Sequence, residues 1–165
     1  MNTDEKENTY CALQIANVIL KSALKKYHDI DVLKLNRLLF IAYGMGHREL
    51  NRAIFNDCIE AWKYGPIIPA VYHHFSHFHL KPVQATAFEY DFFNNKFKHY
   101  DISEKDTILK SFLIDIYKRY GNDSKFSLIH HVWSEESPWA KSYKGKEFEV
   151  IDKKSIIEYF KNMDD

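Results

Sequence analysis

Apolar side chains recur every three or four positions along most of this chain, and that spacing predicts helices before any other property is considered. From Asn8 to Tyr27 the positions Leu13, Ala16, Leu20, Ala23, Leu24 and Tyr27 make one face of an amphipathic first helix. Asp31 is placed to cap a second helix, in which Leu35, Leu38, Leu39 and Ala42 hold the same spacing while Phe40, Ile41 and Tyr43 fill the remaining sides. A helix apolar nearly all round belongs at the centre of a fold. Gly44 and Gly46 weaken its end, and Arg48–Cys58 reads as a turn with a short extended piece.

Beyond Pro66, Pro69 fits the first position of a third helix running to Phe78, with Val71, Phe75 and Phe78 inward. The period then changes. Phe88, Tyr90 and Phe92 alternate with polar neighbours up to Asn94-Asn95, and Lys96–Tyr100 follows with Phe97 and His99 on one side, which predicts a β-hairpin turning at Asn-Asn. Ser103 with Asp106 resembles a capping box ahead of a long stripe of Ile108, Leu109, Phe112, Leu113, Ile116, Tyr117 and Tyr120 that stops at Gly121. A shorter helix is expected from Ser124 to Ser134, then a Ser137-Pro138-Trp139 turn, a loop holding Gly145, and a last helix from Asp152 with Ile156, Ile157, Tyr159 and Phe160.

Length and composition narrow this picture. The 165 residues, 45% hydrophobic, suit one domain over 1–165 with one core, and 12 Phe, 11 Tyr and 3 Trp must supply much of its buried area. Lys and Arg together number 23 and so do Asp and Glu, so the net charge is zero. That balance lacks the cationic excess needed to neutralise a run of phosphates, and nucleic acid is not the default partner. Lys25, Lys26, Lys118 and Arg119 are expected as solvated ends of helices complementing their dipoles. The polar start Met1–Asn8 has no apolar core of a secretory signal, and the apolar stretch Leu38–Gly46 is far shorter than the ~20 residues of a membrane span, so a cytoplasmic protein is expected. Cys11 and Cys58 lack any Cys-x-x-Cys spacing and are expected as buried thiols.

The most informative stretch is Ile59-Glu60-Ala61-Trp62-Lys63-Tyr64-Gly65-Pro66-Ile67-Ile68-Pro69-Ala70-Val71-Tyr72. Its two prolines fix backbone angles, Gly65 opens a conformation closed to other residues, and Trp62, Tyr64 and Tyr72 offer rings with one polar edge each. A tight turn feeding a helix accounts for all of these. Ala61 to Pro66 with Pro69 and Tyr72 resembles the signature of the Panacea, or SocA-like, antitoxin domain family. Ala16-Asn17, Leu33 to Phe40 and Ser134 to Trp139 resemble that family's other blocks in the same order, over roughly residues 10–160. The chain departs from the pattern at Asn36-Arg37, where Gln-Lys is commoner, and at Ser134-Glu135-Glu136-Ser137, where Thr-His and a Gly are typical.

Candidate chemistry outside that block is sparse. His73, His74, His77 and His79 cluster in the third helix, and His130-His131 form a second pair. His73 and His77, one turn apart, are the candidate ligands for a metal, against which stand the absence of a His-Glu-x-x-His pattern and of a nearby cysteine. Glu60 can serve as a base or, more plainly, pair within the block; Lys34 and Arg37 are expected on the solvated side of the second helix. Trp133 is expected in the core, and Trp139 either packs as a lid or presents its ring to a partner. No Walker loop, dinucleotide fingerprint or nucleophile elbow occurs, so neither a cofactor nor a catalytic group is expected.

These readings combine into a mainly α fold, a single compact domain of about six helices around the second helix with a small β-hairpin. The family resemblance implies an antitoxin that neutralises a cognate toxin, encoded beside it, by direct binding. Tyr72 and Trp139 are the candidate contact residues, with Trp62, Tyr64, Gly65, Pro66 and Pro69 as the structural signature. Two alternatives remain open: a proteolysis adaptor that bridges a toxin to a protease, and a metal-dependent enzyme using His73 and His77.

Overall fold

The fold, given by a computed structural model, is described for residues 9–123, 128 and 132–163. The expectations for Met1–Asn8 and for His130-His131 lie outside these residues. Helices dominate: α1 (Ala12–Lys25), α2 (Val32–Glu49), α3 (Pro69–Phe75), α4 (Thr107–Tyr120), α5 (Pro138–Ser142) and α6 (Lys153–Lys161). Among the described residues five short strands, β1 (Glu60–Trp62), β2 (Gly65–Ile67), β3 (Phe88–Asp91), β4 (Lys96–His99) and β5 (Glu149–Val150), form two antiparallel sheets, ordered β2-β1-β5 and β3-β4. No helix among the described residues is long and apolar enough to cross a membrane.

α2 occupies the centre, as its all-round apolar pattern predicts. Leu35, Leu38, Leu39, Phe40, Ile41, Ala42 and Tyr43 are all buried. Asp31 caps it, its carboxylate accepting from the Lys34 N–H at 2.8 Å. The helix runs through Gly44 and Gly46 to Glu49, because each glycine admits a neighbour where a side chain would sit. A Cβ on Gly44 would fall 2.0 Å from the Phe160 ring of α6, and one on Gly46 2.8 Å from Ile54. The Phe160 ring lies edge-on to Phe40 at 5.5 Å, so α6 is seated on α2 through an absent side chain.

α1 begins four residues later than its pattern suggests, and side chains from inside and outside the helix meet the N–H groups at its start. The Cys11 N–H donates to Gln14 Oε1 at 2.9 Å and the Ala12 N–H donates to Asp57 Oδ2 at 2.8 Å. At its other end Tyr27 is corrected from core to surface: the chain turns through a left-handed φ of 56° and the ring is 93% exposed. Cys11 is half-buried and Cys58 exposed, so neither is the buried thiol expected.

Asp106, rather than Ser103, is the N-cap of α4 and accepts from the Leu109 N–H at 3.2 Å. The same carboxylate receives Arg52 and the Tyr10 hydroxyl, a network that ties the chain's start to α4. Ile108 faces outward, leaving Leu109, Phe112, Leu113, Ile116 and Tyr117 as the buried stripe. Arg119 at the far end is not merely solvated: it grips both oxygens of Glu49 at 2.9 and 3.1 Å and meets Asp115 at 3.0 Å. Of the helix expected from Ser124 to Ser134, Leu128, Val132 and Trp133 are described and helical, the first two buried. The Ser137-Pro138-Trp139 turn opens helix α5, with Ser137 as cap and Pro138 in its first turn.

Candidate functional site

The Trp62–Gly65 block is a two-residue hairpin, not simply a turn feeding α3. Glu60 pairs with Ile67, Ala61 with Pro66 and Trp62 with Gly65, and Lys63-Tyr64 make the turn. The distant β5 completes the sheet, pairing Glu60 with Val150, while the Ile151 N–H donates to the Ile59 carbonyl at 2.8 Å. Gly65 has a φ of +126°, a conformation a side chain would strain, and it packs against Arg37 and Trp133. Pro69 then starts α3 at the position its missing N–H favours.

α2 fixes this hairpin from below with two polar residues, Arg37 and Asn36. Arg37 is buried, 5% exposed, and its guanidinium donates to the Tyr64 carbonyl at 2.8 Å. It is therefore corrected from the solvated side of α2 to the underside of the hairpin. Burial lowers its pKa from the ordinary value, with Asp31 opposing the shift. Asn36, fully buried, accepts from the Ile68 N–H and donates to the Val32 carbonyl, both at 2.8 Å, and so holds the entry to α3. Lys34 is also drawn in: half-buried, it donates to the Gly121 carbonyl at 2.6 Å, and burial lowers its pKa. The signal for Arg37 was present in the sequence, since a helix apolar on every side leaves a cation on it nowhere to go but inward.

From above, aromatic rings lock the hairpin. Trp62 is half-buried rather than enclosed, its ring contacting Tyr72 and Phe148 at 4.9 Å and His73 at 6.3 Å. Its indole N–H donates to Glu60 Oε2 at 2.8 Å, which commits that carboxylate to the block itself. Trp139 stacks nearly parallel between Trp133 at 5.3 Å and Tyr143 at 5.2 Å, and its own indole N–H donates to the Trp62 carbonyl at 2.8 Å. Trp139 thus packs against the fold, whereas Trp133, expected in the core, is 38% exposed at the end of that stack.

The outer surface of the block is open. Tyr64 is 57% and Phe148 60% exposed, and Tyr72, half-buried against Trp62, lies between α3 and the hairpin. Val32, Leu33, Tyr64, Tyr72 and Leu80 line a shallow, mostly apolar cleft of about 200 Å³ beside it. α3 ends at Phe75 and a 3₁₀ turn follows over Ser76–Phe78, so His73 stands on the α-helix and His77 on the 3₁₀ turn. His73 rests against Trp62 and Tyr72, and His77 against Phe78, itself only half-buried. No group of three or more His, Cys, Asp or Glu side chains placed to hold a metal occurs among the described residues.

The remaining blocks that carried the resemblance are structural joints. Asn17, buried at 1% exposure on α1, donates from Nδ2 to the carbonyls of Ala87 at 2.9 Å and Tyr100 at 2.7 Å. Its Oδ1 accepts from the Ala87 N–H at 2.6 Å. One side chain therefore grips both strand ends of the β3–β4 hairpin. The β1–β2 hairpin, Asn36, Arg37, Tyr72, Trp133 and Trp139 all fall within 35–140, where the chain matches the family described as "Antitoxin SocA-like, Panacea domain". Antitoxin SocA of Caulobacter vibrioides (strain NA1000 / CB15N) is 38% identical to this chain over 65 residues, or 39% of this chain. The match spans about a third of that protein, 35% of its length. No solved structure matches. With the family's domain matched over residues 35–140, more than half of its 165 residues, this chain belongs to the SocA-like antitoxin family that carries the Panacea domain.

Proposed function

We propose that this protein is an antitoxin that neutralises a cognate toxin, encoded beside it, by binding the toxin directly in the cytoplasm, and that residues 1–165 act as one domain without a catalytic step. Family membership supplies the toxin as the class of partner. The observation that carries the reading to a surface is the β1–β2 hairpin: a frame held by buried Arg37 and by the Trp133–Trp139–Tyr143 stack displays Tyr64 and Phe148. Rigid aromatic side chains on a fixed frame lose little conformational entropy on docking and make strong anchors at the centre of an interface. Tyr64, Tyr72 and Phe148 are the contact residues in this reading, and Trp139 supports them from behind rather than touching the toxin.

Two variants separate contact from support. Tyr64→Ala/Tyr72→Ala should retain a melting temperature within about 5 °C of the parent, since at most a partly exposed ring is lost at each site, yet fail to rescue cells expressing the toxin. Trp62→Ala should lose about 2–4 kcal/mol, less than a fully enclosed tryptophan because part of the residue is already in solvent, and rescue should fall only as the fold is lost. Full rescue by the Tyr64→Ala/Tyr72→Ala protein would place the toxin elsewhere. A Trp62→Ala protein that melts like the parent but fails to rescue would make Trp62 itself a contact.

A further inference from the structure

The β2-β1-β5 sheet has an edge that the fold leaves open, and Pro66 together with the strand register sets which groups it presents. Pro66 lies opposite Ala61 and has no N–H to give, so the main-chain groups of Ala61 turn the other way, to Glu149 of β5. The bond from the Ile151 N–H to the Ile59 carbonyl, 2.8 Å long, fixes the same phase two residue pairs further along. Val150 sits between these points. It faces Glu60 in a pair that exchanges no hydrogen bonds, so its own N–H and C=O point away from β1. β5 is the last strand on that side, and none of the hydrogen bonds that join the described segments uses either group. Residues 147–150 are all exposed, Val150 at 62%.

This edge is short for local reasons. Phe148 leaves the strand through a left-handed φ of 69°, with its ring edge-on to Trp62 at 4.9 Å, and Asp152 already caps α6. So short an edge strand is one of the ways in which native sheets avoid templating aggregation. It still offers a donor and an acceptor side by side, and the main chain of another extended segment pairs with both at once. The side chains agree with that use. Glu60 and Trp62 lie on one side of β1 and buried Ala61 on the other, so Val150, opposite Glu60, lies on the Trp62 side. A strand added beside β5 sets its alternate side chains against Val150 and Phe148 on the face that carries Trp62.

We infer that β5 receives an extended segment of the toxin as a further strand of this sheet, with apolar side chains at alternate positions facing Phe148 and Val150. This rests on the β1–β2 hairpin being the toxin site, and it names the form of toxin chain that docks there. A helix laid on the same place satisfies its own main chain and leaves the Val150 N–H and C=O covered without partners, which is costly once water is excluded. An extended segment serves both groups. Bonds to the Val150 main chain are indifferent to the toxin's sequence, and the rings beside them supply the selectivity. One such pair of bonds holds little by itself, so a strand stays on β5 only if it also meets Phe148 and its neighbours.

Residue-resolved amide exchange on the full chain, alone and in complex with the toxin encoded beside it, tests this. In the free chain the Val150 N–H should exchange nearly as fast as an unstructured amide, while the Ile151 N–H, bonded to Ile59, is protected. In the complex the Val150 N–H should slow at least ~100-fold. Val150→Pro and Val150→Ala give a second readout. Relative to alanine, proline removes an N–H that the fold does not use, a change an edge strand tolerates, so the two should melt alike. The proline variant should nonetheless bind the toxin about 10-fold more weakly than the alanine one. The exchange measurement needs no substitution and stands whether or not the proline variant folds. A Val150 N–H equally fast in both states, or a proline variant that binds as tightly as the alanine one, would overturn the inference. So would protection already present in the free chain at high concentration, which would give the edge to a second copy. After any of these results, failure of Tyr64→Ala/Tyr72→Ala to rescue cells leaves the hairpin as the toxin site, and full rescue removes that site as well.

Discussion

Three buried polar side chains, Asn17, Asn36 and Arg37, set the positions of the loops and hairpins on the helical core. Each serves main-chain groups from another segment, and in a water-excluded site an unserved main-chain group is costly. Asn17→Ala removes three hydrogen bonds and leaves the Ala87 N–H and the Ala87 and Tyr100 carbonyls without that partner. At ~1–3 kcal/mol for each fully buried group, and with water reaching the less buried Tyr100 end, the loss should be about 2–5 kcal/mol. Asn17→Asp should do no better, because a carboxylate keeps the acceptor but removes both donors. Denaturant melts measure the cost, and amide exchange should show β3 and β4 losing protection before α2 and α4 do. An Asn17→Ala protein equal to its parent in both would mean that the hairpin is held by something other than this side chain. Nothing in hydrophobic periodicity marks Asn17, which sits between Ala16 and Val18 on an otherwise ordinary amphipathic helix. Arg37 was better signposted, by the apolar ring of residues around it.

Among the elements, those set by local rules could be read from the sequence and those set by distant partners could not. α2 and α4 follow from 3.6-residue spacing; the β3–β4 hairpin follows from alternation broken by Asn94-Asn95; α6 follows from Asp152 and its apolar stripe. The β2-β1-β5 sheet escaped because its strands have two or three residues, too few for a period, and because β5 comes from far along the chain. That is also why Trp62 and its neighbours read as a turn between helices. Gly44 was visible as a weak point in α2 but not as a packing device, since the ring it receives belongs to α6. Here propensity and packing make opposite predictions. Helix propensity alone favours Gly44→Ala by ~1 kcal/mol, whereas a Cβ 2.0–2.5 Å from three Phe160 ring atoms imposes an overpacking cost of ~1–3 kcal/mol or more. Packing should win, because Phe160 is 1% exposed and flanked by Phe40, leaving little room to retreat. Gly44→Ala should therefore lower the melting temperature, and adding Phe160→Leu should recover part of the loss. A Gly44→Ala protein more stable than its parent would refute this seating of α6.

At the scale of the whole molecule, the two hairpins give the protein two aromatic surfaces on one helical scaffold, each fixed by buried polar residues of the first two helices. The proposed function assigns the β1–β2 hairpin to the toxin and requires no turnover there: neutralisation is by occupancy, and a covering partner blocks only the molecule it occupies. Titration of the purified protein against a fixed, assayable amount of its toxin, at concentrations well above the dissociation constant, tests that claim most directly. Toxin activity should fall linearly and reach its floor at one antitoxin chain per toxin. Complete loss of toxin activity at far below one equivalent would contradict the account, because only a protein that turns over could achieve it.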